Sequence, residues 1–412
     1  MTEATPVTNC RSCGGERLTR FLDLGSTPIA NALVDPAADL TAERSYPLQV
    51  AVCADCTLVQ LAAELPADAI FDADYPYYSS FSDALLRHSA DHAKSLVALR
   101  GLDASSLVVE VASNDGYLLR NFNEQGIPVL GIDPSPGPAK AAQAIGVTTI
   151  VDFFGDALAQ RLRSEGKRAS VIIANNVMAH VPNLNDFVAG LATLLADNGL
   201  LTVENPYVKE LIEHVEFDTV YHEHFCYFSC TAVDRLMRRH GLFLNDIEFF
   251  ADLHGGTCRW HIEKVDRRTP RAAAYLDDEQ ARGMLEPSYY TDFSEAVHAG
   301  IGHLQALLRD LKADGKRIAA YGAAAKGSTL ANTAGIGTET LEYVVDRNPH
   351  KQGHLMPGVH VPIVGPEAIT DDPVDYLLLF AWNYKEEVMR QQHEFAHRGG
   401  RFIIPLPIAQ IA

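Results

Sequence analysis

Three features of the chain predict an α/β protein in three parts. The first is a pair of C-x-x-C motifs near the N-terminus, Cys10/Cys13 and Cys53/Cys56. The second is a succession of short apolar strands alternating with helices from about Leu107 onward. The third is a renewed alternation of the same kind after a long polar helix that ends near Asp314. Short apolar strands separated by helices imply a parallel sheet covered on both faces. The expected order is therefore a metal-stapled module over 1–66, a seven-stranded α/β core over 67–266, a linker with a long helix over 267–315, and a C-terminal α/β domain over 316–412.

The metal module rests on cysteine geometry. Two thiolates three positions apart fit one tight turn and fill two corners of a tetrahedron; a second such turn fills the other two. All four positions belong to the protein, so the expected Zn²⁺ is structural and has no open site for chemistry. Two disulfides, or four unrelated cysteines, are the competing readings. The first residues, Met1 to Asn9, carry no apolar export segment, which favours zinc and a cytoplasmic protein. Cys226, Cys230 and Cys258 lack partner spacing and read as reduced thiols.

Composition narrows the partners. The 412 residues are too many for one core. Hydrophobic residues at 47% and charged ones at 21% are ordinary for a globular chain. The longest apolar runs, Val171 to Ala174 and Tyr376 to Ala381, fall far short of a membrane span. With 34 basic and 53 acidic residues the net charge is −19, which repels nucleic acid and anionic membranes as main partners. A small anionic ligand held by a few local Lys or Arg stays compatible with it.

The elements follow in order. Apolar residues at helical spacing run from Ser79 to Leu99, and Arg100-Gly101 stops that helix. Leu107–Ala112 reads as a buried strand, Tyr117–Gln125 as a helix, Pro128–Asp133 as a strand and Pro138–Ile145 as a helix. Val147–Val151, Val171–Asn175 and Leu200–Glu204 are the next strands, with a helix over Leu184–Leu195. Leu244–Phe250 and Thr257–Val265 complete seven strands. The long helix covers Tyr289–Asp314. Arg317–Tyr321, Glu342–Asp346, Tyr376–Phe380 and Phe402–Pro405 are the strands of the C-terminal domain.

The first core strand runs through Val108-Val-Glu-Val-Ala-Ser-Asn-Asp-Gly116 into a turn. In open α/β sheets, ligands bind beyond the carboxyl ends of the strands. Ala112, Ser113 and Gly116 are small enough for backbone to approach a ligand closely. Asp133 ends the second strand, where it can hold two ribose hydroxyls. Asp152-Phe153, after the third, can offer an acceptor to adenine N6 and a ring beside the base. A generic α/β turn is the bland alternative, and G-x-G-x-x-G is absent. The three stations resemble those of class I S-adenosylmethionine (SAM) methyltransferases, although Glu110 stands where many members have Asp, and Ala112 replaces a frequent Gly. The resemblance implies a cofactor set of Glu110, Ala112, Ser113, Asn114, Asp115, Gly116, Asp133, Pro134, Asp152, Phe153 and Asn175.

The densest polar cluster is Tyr221-His-Glu-His-Phe-Cys-Tyr-Phe228. A metal site would need a third ligand at a recognised spacing, and a polar loop with aromatic anchors is the plain reading. The chemical one is a general base, since histidine accepts protons near neutral pH. Glu223 can orient an imidazole or a substrate, and Tyr221 can donate a hydrogen bond.

Six segments then occur in one order. They are the doubled C-x-x-C, Glu110-x-Ala-Ser-Asn-Asp-Gly116, Ala174-Asn-Asn-Val-Met-Ala-His-Val-Pro182, Tyr221-His-Glu-His-Phe225, His254-Gly-Gly-Thr257 and Tyr321-Gly-Ala-Ala-Ala-Lys-Gly327. Together they resemble the deoxysugar C-methyltransferases of antibiotic biosynthesis, most closely those acting at C-3′, over essentially the whole chain. The resemblance implies transfer of a methyl group from SAM to the carbon next to the ketone of a TDP-linked 4-keto-6-deoxysugar. It makes His224 the base and gives Tyr221, Glu223, His180 and Tyr75 active-site places. Tyr77, Asn176 and Lys326 are expected at the substrate. His180 as a helix cap, Tyr75 as packing and His254-Gly-Gly as a plain hairpin turn are the structural alternatives.

The turn Gly322-Ala-Ala-Ala-Lys-Gly-Ser328 places small residues and a lysine at a helix start, a setting for a nucleotide diphosphate. It does not match the P-loop, because Lys326 precedes Gly327. Methylation at C-5 and a non-catalytic nucleotide-sugar binding protein are the runner-up functions. Oligomeric state stays open, a monomer being one reading.

Overall fold

The computed structural model describes residues 4–65 and 78–412. Its centre is a seven-stranded sheet whose strands, in chain order, are β1 Val108–Val111, β2 Val129–Asp133, β3 Thr149–Val151, β4 Ala169–Asn175, β5 Leu195–Pro206, β6 Phe243–Phe250 and β7 Thr257–Glu263. Across the sheet they lie in the order β6-β7-β5-β4-β1-β2-β3. β7 is antiparallel to both neighbours, and the other pairs are parallel. All four residues of β1 are buried, so its valines pack on both faces and Glu110 is enclosed with them. Successive strands are added on opposite sides of the parallel pair β1 and β4, which makes their carboxyl ends the switch point where such sheets bind ligands.

The helix Asp83–Arg100 starts where Ser82 accepts a hydrogen bond from the Leu85 amide and ends at Gly101 in the left-handed region (φ 59°). Other predicted elements are shorter. The helix expected over Tyr117–Gln125 is reduced to Arg120–Asn123. Asn121 Nδ2 donates to the Tyr117 and Leu118 carbonyls, which takes acceptors from the first turn. Val147 does not join β3, because its amide closes the preceding helix on Ala142 O at 3.0 Å. The long helix begins at Phe293, after a 3-10 turn over Pro287–Tyr290. Helices Asp156–Ser164, Cys230–Arg239 and Pro270–Ala281 were not anticipated.

The cysteine-bearing segment forms antiparallel strands Leu18–Thr27, Tyr46–Cys53 and Val59–Leu61. A fourth strand, Cys226–Tyr227, comes from the catalytic core and pairs with Val59 and Gln60. The C-terminal sheet has six strands in the order Ile363–Val364, Val344–Val345, Ile318–Tyr321, Tyr376–Leu379, Arg401–Ile404 and Gln410–Ile411. Only the last pair is antiparallel.

Burial joins the three parts. Cys10, Cys53 and Leu58 pack with Phe225, Phe228 and the core sheet. Phe21, Leu48, Val50 and Leu61 share a second apolar core with the Phe293–Ala313 helix and with Ile318 and Leu378. No helix among the described residues is long and apolar enough to cross a membrane.

Candidate active site

The crevice at the β1/β4 switch point is built from unusual backbone. Ala112 (φ 58°), Asn114 (φ 49°), Asn176 (φ 52°) and His254 (φ 54°) all take the left-handed conformation there. Each costs of order ~1–3 kcal/mol and persists only where surrounding contacts enforce it. Those contacts are visible. The Asn114 and Ser135 amides donate to the two oxygens of Asp133, each at 2.8 Å, which clamps the β1 turn onto the end of β2. The Ser79 amide donates to Asn114 Oδ1 at 2.9 Å, and the Ser80 amide to Asp115 Oδ2 at 3.1 Å. Two glycines permit close approach. A Cβ on Gly131 would lie 2.4 Å from Ser113 Oγ, and one on Gly116 would meet Ala142 and Val147 at 3.2 Å.

The electrostatics of this crevice fit a cationic ligand. Burial drives Glu110 well above the usual carboxylate range, with Asp133, Asp115 and Glu204 adding to the push. Burial also raises Asp133. Glu110 Oε2, Ser113 Oγ, Asp115 Oδ1 and Asn175 Oδ1 are buried without a hydrogen-bond partner among the described residues. Converging carboxylates and orphaned acceptors suit the ammonium and sulfonium charges and the ribose hydroxyls of SAM. Glu110, Asp115 and Asp133 would hold that group, and it would supply an electrophilic methyl. At the end of β3, Asp152 pairs with Arg161 at 3.4 Å and Phe153 is 61% exposed. Both line a concavity of about 290 Å³ with Phe154 and Leu158.

The second half of the site is the segment after the 3-10 turn Phe217–Thr219. The Phe225 amide donates to Ala179 O at 2.7 Å and draws this segment against the turn Met178–His180. That contact sets the His180 and His224 rings edge to face, 4.6 Å between centroids. His224 Nδ1–H donates to the Thr219 carbonyl at 3.1 Å, so the lone pair sits on Nε2, where the Tyr221 hydroxyl donates at 2.7 Å. Burial holds the His224 pKa well below the ordinary value, and the neighbouring His180 and Lys326 act in the same direction. Burial takes His180 to about 4. A neutral, oriented imidazole with its acceptor nitrogen facing a tyrosine is equipped to take a proton.

The other two polar residues of the motif look away from the imidazole. His222 Nε2 donates to Tyr46 O at 3.2 Å, in the cysteine-bearing module. Glu223 Oε1 accepts from the backbone and side chain of Asn31 at 3.1 and 3.0 Å. The imidazole is therefore oriented by a carbonyl, and Glu223 carries its charge toward the module. Tyr75 and Tyr77 lie outside the described residues.

Asn176 Nδ2 meets His254 Nε2 at 3.5 Å, which brings the β6–β7 hairpin turn into the crevice. Sequence reading missed the partners beyond it. Asp218 is fully buried and accepts from the Trp382 indole at 2.6 Å, while Lys326 lies over the Trp382 ring, 4.6 Å from its centroid. The acids of Glu216-Phe-Asp218, five and three positions before Tyr221, were the available signal. The small-residue turn at Gly322 differs from an open anion site, since its Ala323 amide already donates to Asp346 Oδ2 at 2.8 Å.

The four cysteines converge. Their Sγ atoms all lie within 4.8 Å of one another, with Cys10–Cys56 at 3.4 Å and Cys13–Cys53 at 3.6 Å. Zn–S bonds of about 2.3 Å in a tetrahedron put sulfurs about 3.8 Å apart. The Ser12 and Gly15 amides donate to Cys10 and Cys13 Sγ at 3.4 Å, as thiolate ligands require. This is a structural zinc site.

Comparison with known families agrees part by part. Residues 10–71 match a zinc binding domain family, 84–245 a methyltransferase domain family and 252–407 the C-methyltransferase C-terminal domain family. Fold and site define a SAM-dependent methyltransferase with a structural zinc module. Over 405 residues the chain is 35% identical to the C-methyltransferase NovU of Streptomyces niveus, covering 98% of this chain and 96% of that one. The protein belongs to the C-methyltransferase family. It is also 30% identical to a ubiquinone biosynthesis O-methyltransferase of Azorhizobium caulinodans over 29% of this chain and 47% of that one. The magnesium protoporphyrin IX methyltransferase of Synechocystis, solved with bound SAM, aligns over 44% of this chain and 82% of its own at 16% identity, with a TM-score of 0.33.

Proposed function

We propose that the protein methylates C-3′, the carbon next to the ketone, in a TDP-linked 4-keto-6-deoxysugar. The observation that carries the reading is the His224 imidazole, held neutral with its Nε2 lone pair directed at Tyr221 beside the SAM crevice. Methylating oxygen or nitrogen needs little more than a positioned lone pair. Methylating carbon requires a C–H proton to be removed first, and an adjacent ketone makes that feasible by accepting charge as an enolate.

In this reading His224 removes the proton, and Tyr221 gives up its hydrogen bond to Nε2 and turns to the sugar. His180 faces the same imidazole, and Tyr75 keeps the active-site role that the resemblance implies. Glu223 anchors the segment on Asn31, and Asp133 and Glu110 position the methyl donor. Asn176 and Lys326 line the sugar side, and Tyr77 is assigned to the substrate by the resemblance alone.

The test is transfer of labelled methyl from SAM to a TDP-4-keto-6-deoxysugar, with the methylated carbon located by NMR. A new methyl on C-3′ is the expected result. Label appearing on oxygen, or on no sugar of this class, would remove the reading.

A further inference from the structure

We propose that Lys326, from the C-terminal domain, is the cation that faces the ketone oxygen as the enolate forms. The inference rests on the sugar-methylation reading above and assigns its oxyanion partner. The lysine was expected to meet a diphosphate at the start of its helix, Ala325–Ala334. The structure turns it elsewhere. The turn's Ala323 amide is taken by Asp346, and Lys351 Nζ donates to the Ala323 carbonyl at 2.7 Å. Lys326 leans instead over Trp382, with Nζ 3.5 Å from the His254 carbonyl.

That position puts its charge beside the base. His254 reaches Asn176 at the end of β4, and the Thr329 hydroxyl of the lysine's own helix donates to Val220 O at 3.1 Å, next to Tyr221. The helix is thus docked on the segment that carries Thr219, the carbonyl holding His224. The charge of Lys326 reaches His224, Glu216 and Asp218. Among the described residues the ammonium forms no salt bridge, and one long hydrogen bond leaves donors to spare. Burial pushes Glu216 up to about 8, so this acid is neutral at pH 7 and leaves the lysine's charge uncancelled.

The step balances simply. The C-3′–H bond breaks, its proton goes to His224 Nε2, its electron pair becomes the C-3′=C-4′ bond, and the carbonyl pair moves onto O-4′. A neutral base therefore becomes a cation while oxygen becomes an anion. Without a second positive charge at O-4′ the anion would form uncompensated in a buried site. A fixed donor at a developing oxyanion is worth ~10²–10³ in rate. Trp382 acts as the positioning residue: its ring lies under the Lys326 ammonium, and its indole is fixed by Asp218.

The experiment uses the full, zinc-loaded enzyme with S-adenosylhomocysteine in the crevice, in D₂O. Wild type should exchange the C-3′ hydrogen of the TDP-4-keto sugar; failure to exchange or methylate it would sink the substrate reading itself. K326Q should lose exchange and methylation together by ~10²-fold or more, with affinity for TDP within a factor of about two. Exchange by K326Q near the wild-type rate overturns the proposal. So does a tenfold loss of TDP affinity with exchange retained at saturating substrate, which would return Lys326 to the diphosphate. Should K326Q not fold, the wild-type complex answers alone. The ¹³C signal of the bound C-4′ carbonyl must move downfield on binding, and an unshifted signal rejects a cation at that oxygen.

Discussion

The Tyr221 hydroxyl sits 2.7 Å from His224 Nε2, on the one face of the ring that the Thr219 carbonyl does not hold. The two rings also overlap at 3.9 Å, tilted by 32°. The hydroxyl keeps the lone pair occupied until substrate arrives. Replacing the base should then differ sharply from removing its cover. H224N is expected to bind both ligands yet lose deuterium exchange and methylation by ~10²–10⁴-fold. Y221F should slow both without abolishing them. Near-normal methylation by H224N would place the proton acceptor elsewhere.

The pH profile follows from the burial of that ring. His224 is depressed well below 6.5 by desolvation, with His180, Lys326 and His254 contributing. Its neutral, active form therefore persists below the pH at which an ordinary histidine protonates. At pH 6 a free imidazole would be about three-quarters charged, whereas kcat/KM here should stay on its plateau and fall only at lower pH. An acid limb centred on 6.5 in the rate profile would contradict a buried base.

Asp133 should govern SAM affinity. Its oxygens already hold the Asn114 and Ser135 amides, so removing the carboxylate loosens the turn and, on the proposed reading, would delete a ribose contact. Charge-assisted hydrogen bonds are worth roughly 1.5–3 kcal/mol each. D133A is expected to weaken SAM binding at least about tenfold by calorimetry; an unchanged affinity would move the ribose away from this residue.

Zinc removal should be a folding event. Each chain is expected to carry one Zn²⁺ by elemental analysis, and C53S should disorder the module, because metal binding and folding are one equilibrium in such sites. Protein purified without chelator and free of zinc would refute the assignment.

A buried ion network deserves a stability measurement. Glu204 lies 2.6 Å from Arg259 Nε and 3.0 Å from His88 Nε2, with both partners of the first pair almost fully enclosed. Hydrogen bonding to His88 and the charge of Arg259 outweigh burial and hold Glu204 down to about 2. R259M strands that charge and should cost ~3–5 kcal/mol, read as a lowered unfolding midpoint. A midpoint within one degree of wild type would show that water or another cation takes the place of the guanidinium.

The sequence made visible what periodicity and local chemistry encode. Buried strands such as Ala169–Asn175 announced themselves through apolar runs, here Val171 to Ala174, and the cysteine pairs by spacing alone. Helix Asp156–Ser164 was overlooked because its single buried stripe of Leu158, Ala159 and Leu162 is interrupted by Gln160 and Arg161. The motif residues could be named from the sequence, but not the directions in which they point. Nothing local tells that His222 faces Tyr46 while His224 faces Tyr221; strand pairing and the Phe225–Ala179 bond decide it. The roles of Asp218 and Trp382 were hidden for the same reason, since their contact spans 164 positions of chain.

The two-residue strand Cys226–Tyr227 begins two positions after His224 and ends the sheet that the cysteine pairs anchor. Ancestry should bear the mark of that arrangement. A breakpoint near residue 66 looks convenient for shuffling modules between relatives, yet it would separate Val59 and Gln60 from the partners that hold the base in place. Chimeras carrying a foreign N-terminal module should therefore be catalytically dead unless residues 221–228 travel with it. The inheritable unit is a discontinuous one, the metal module together with the segment that carries His224.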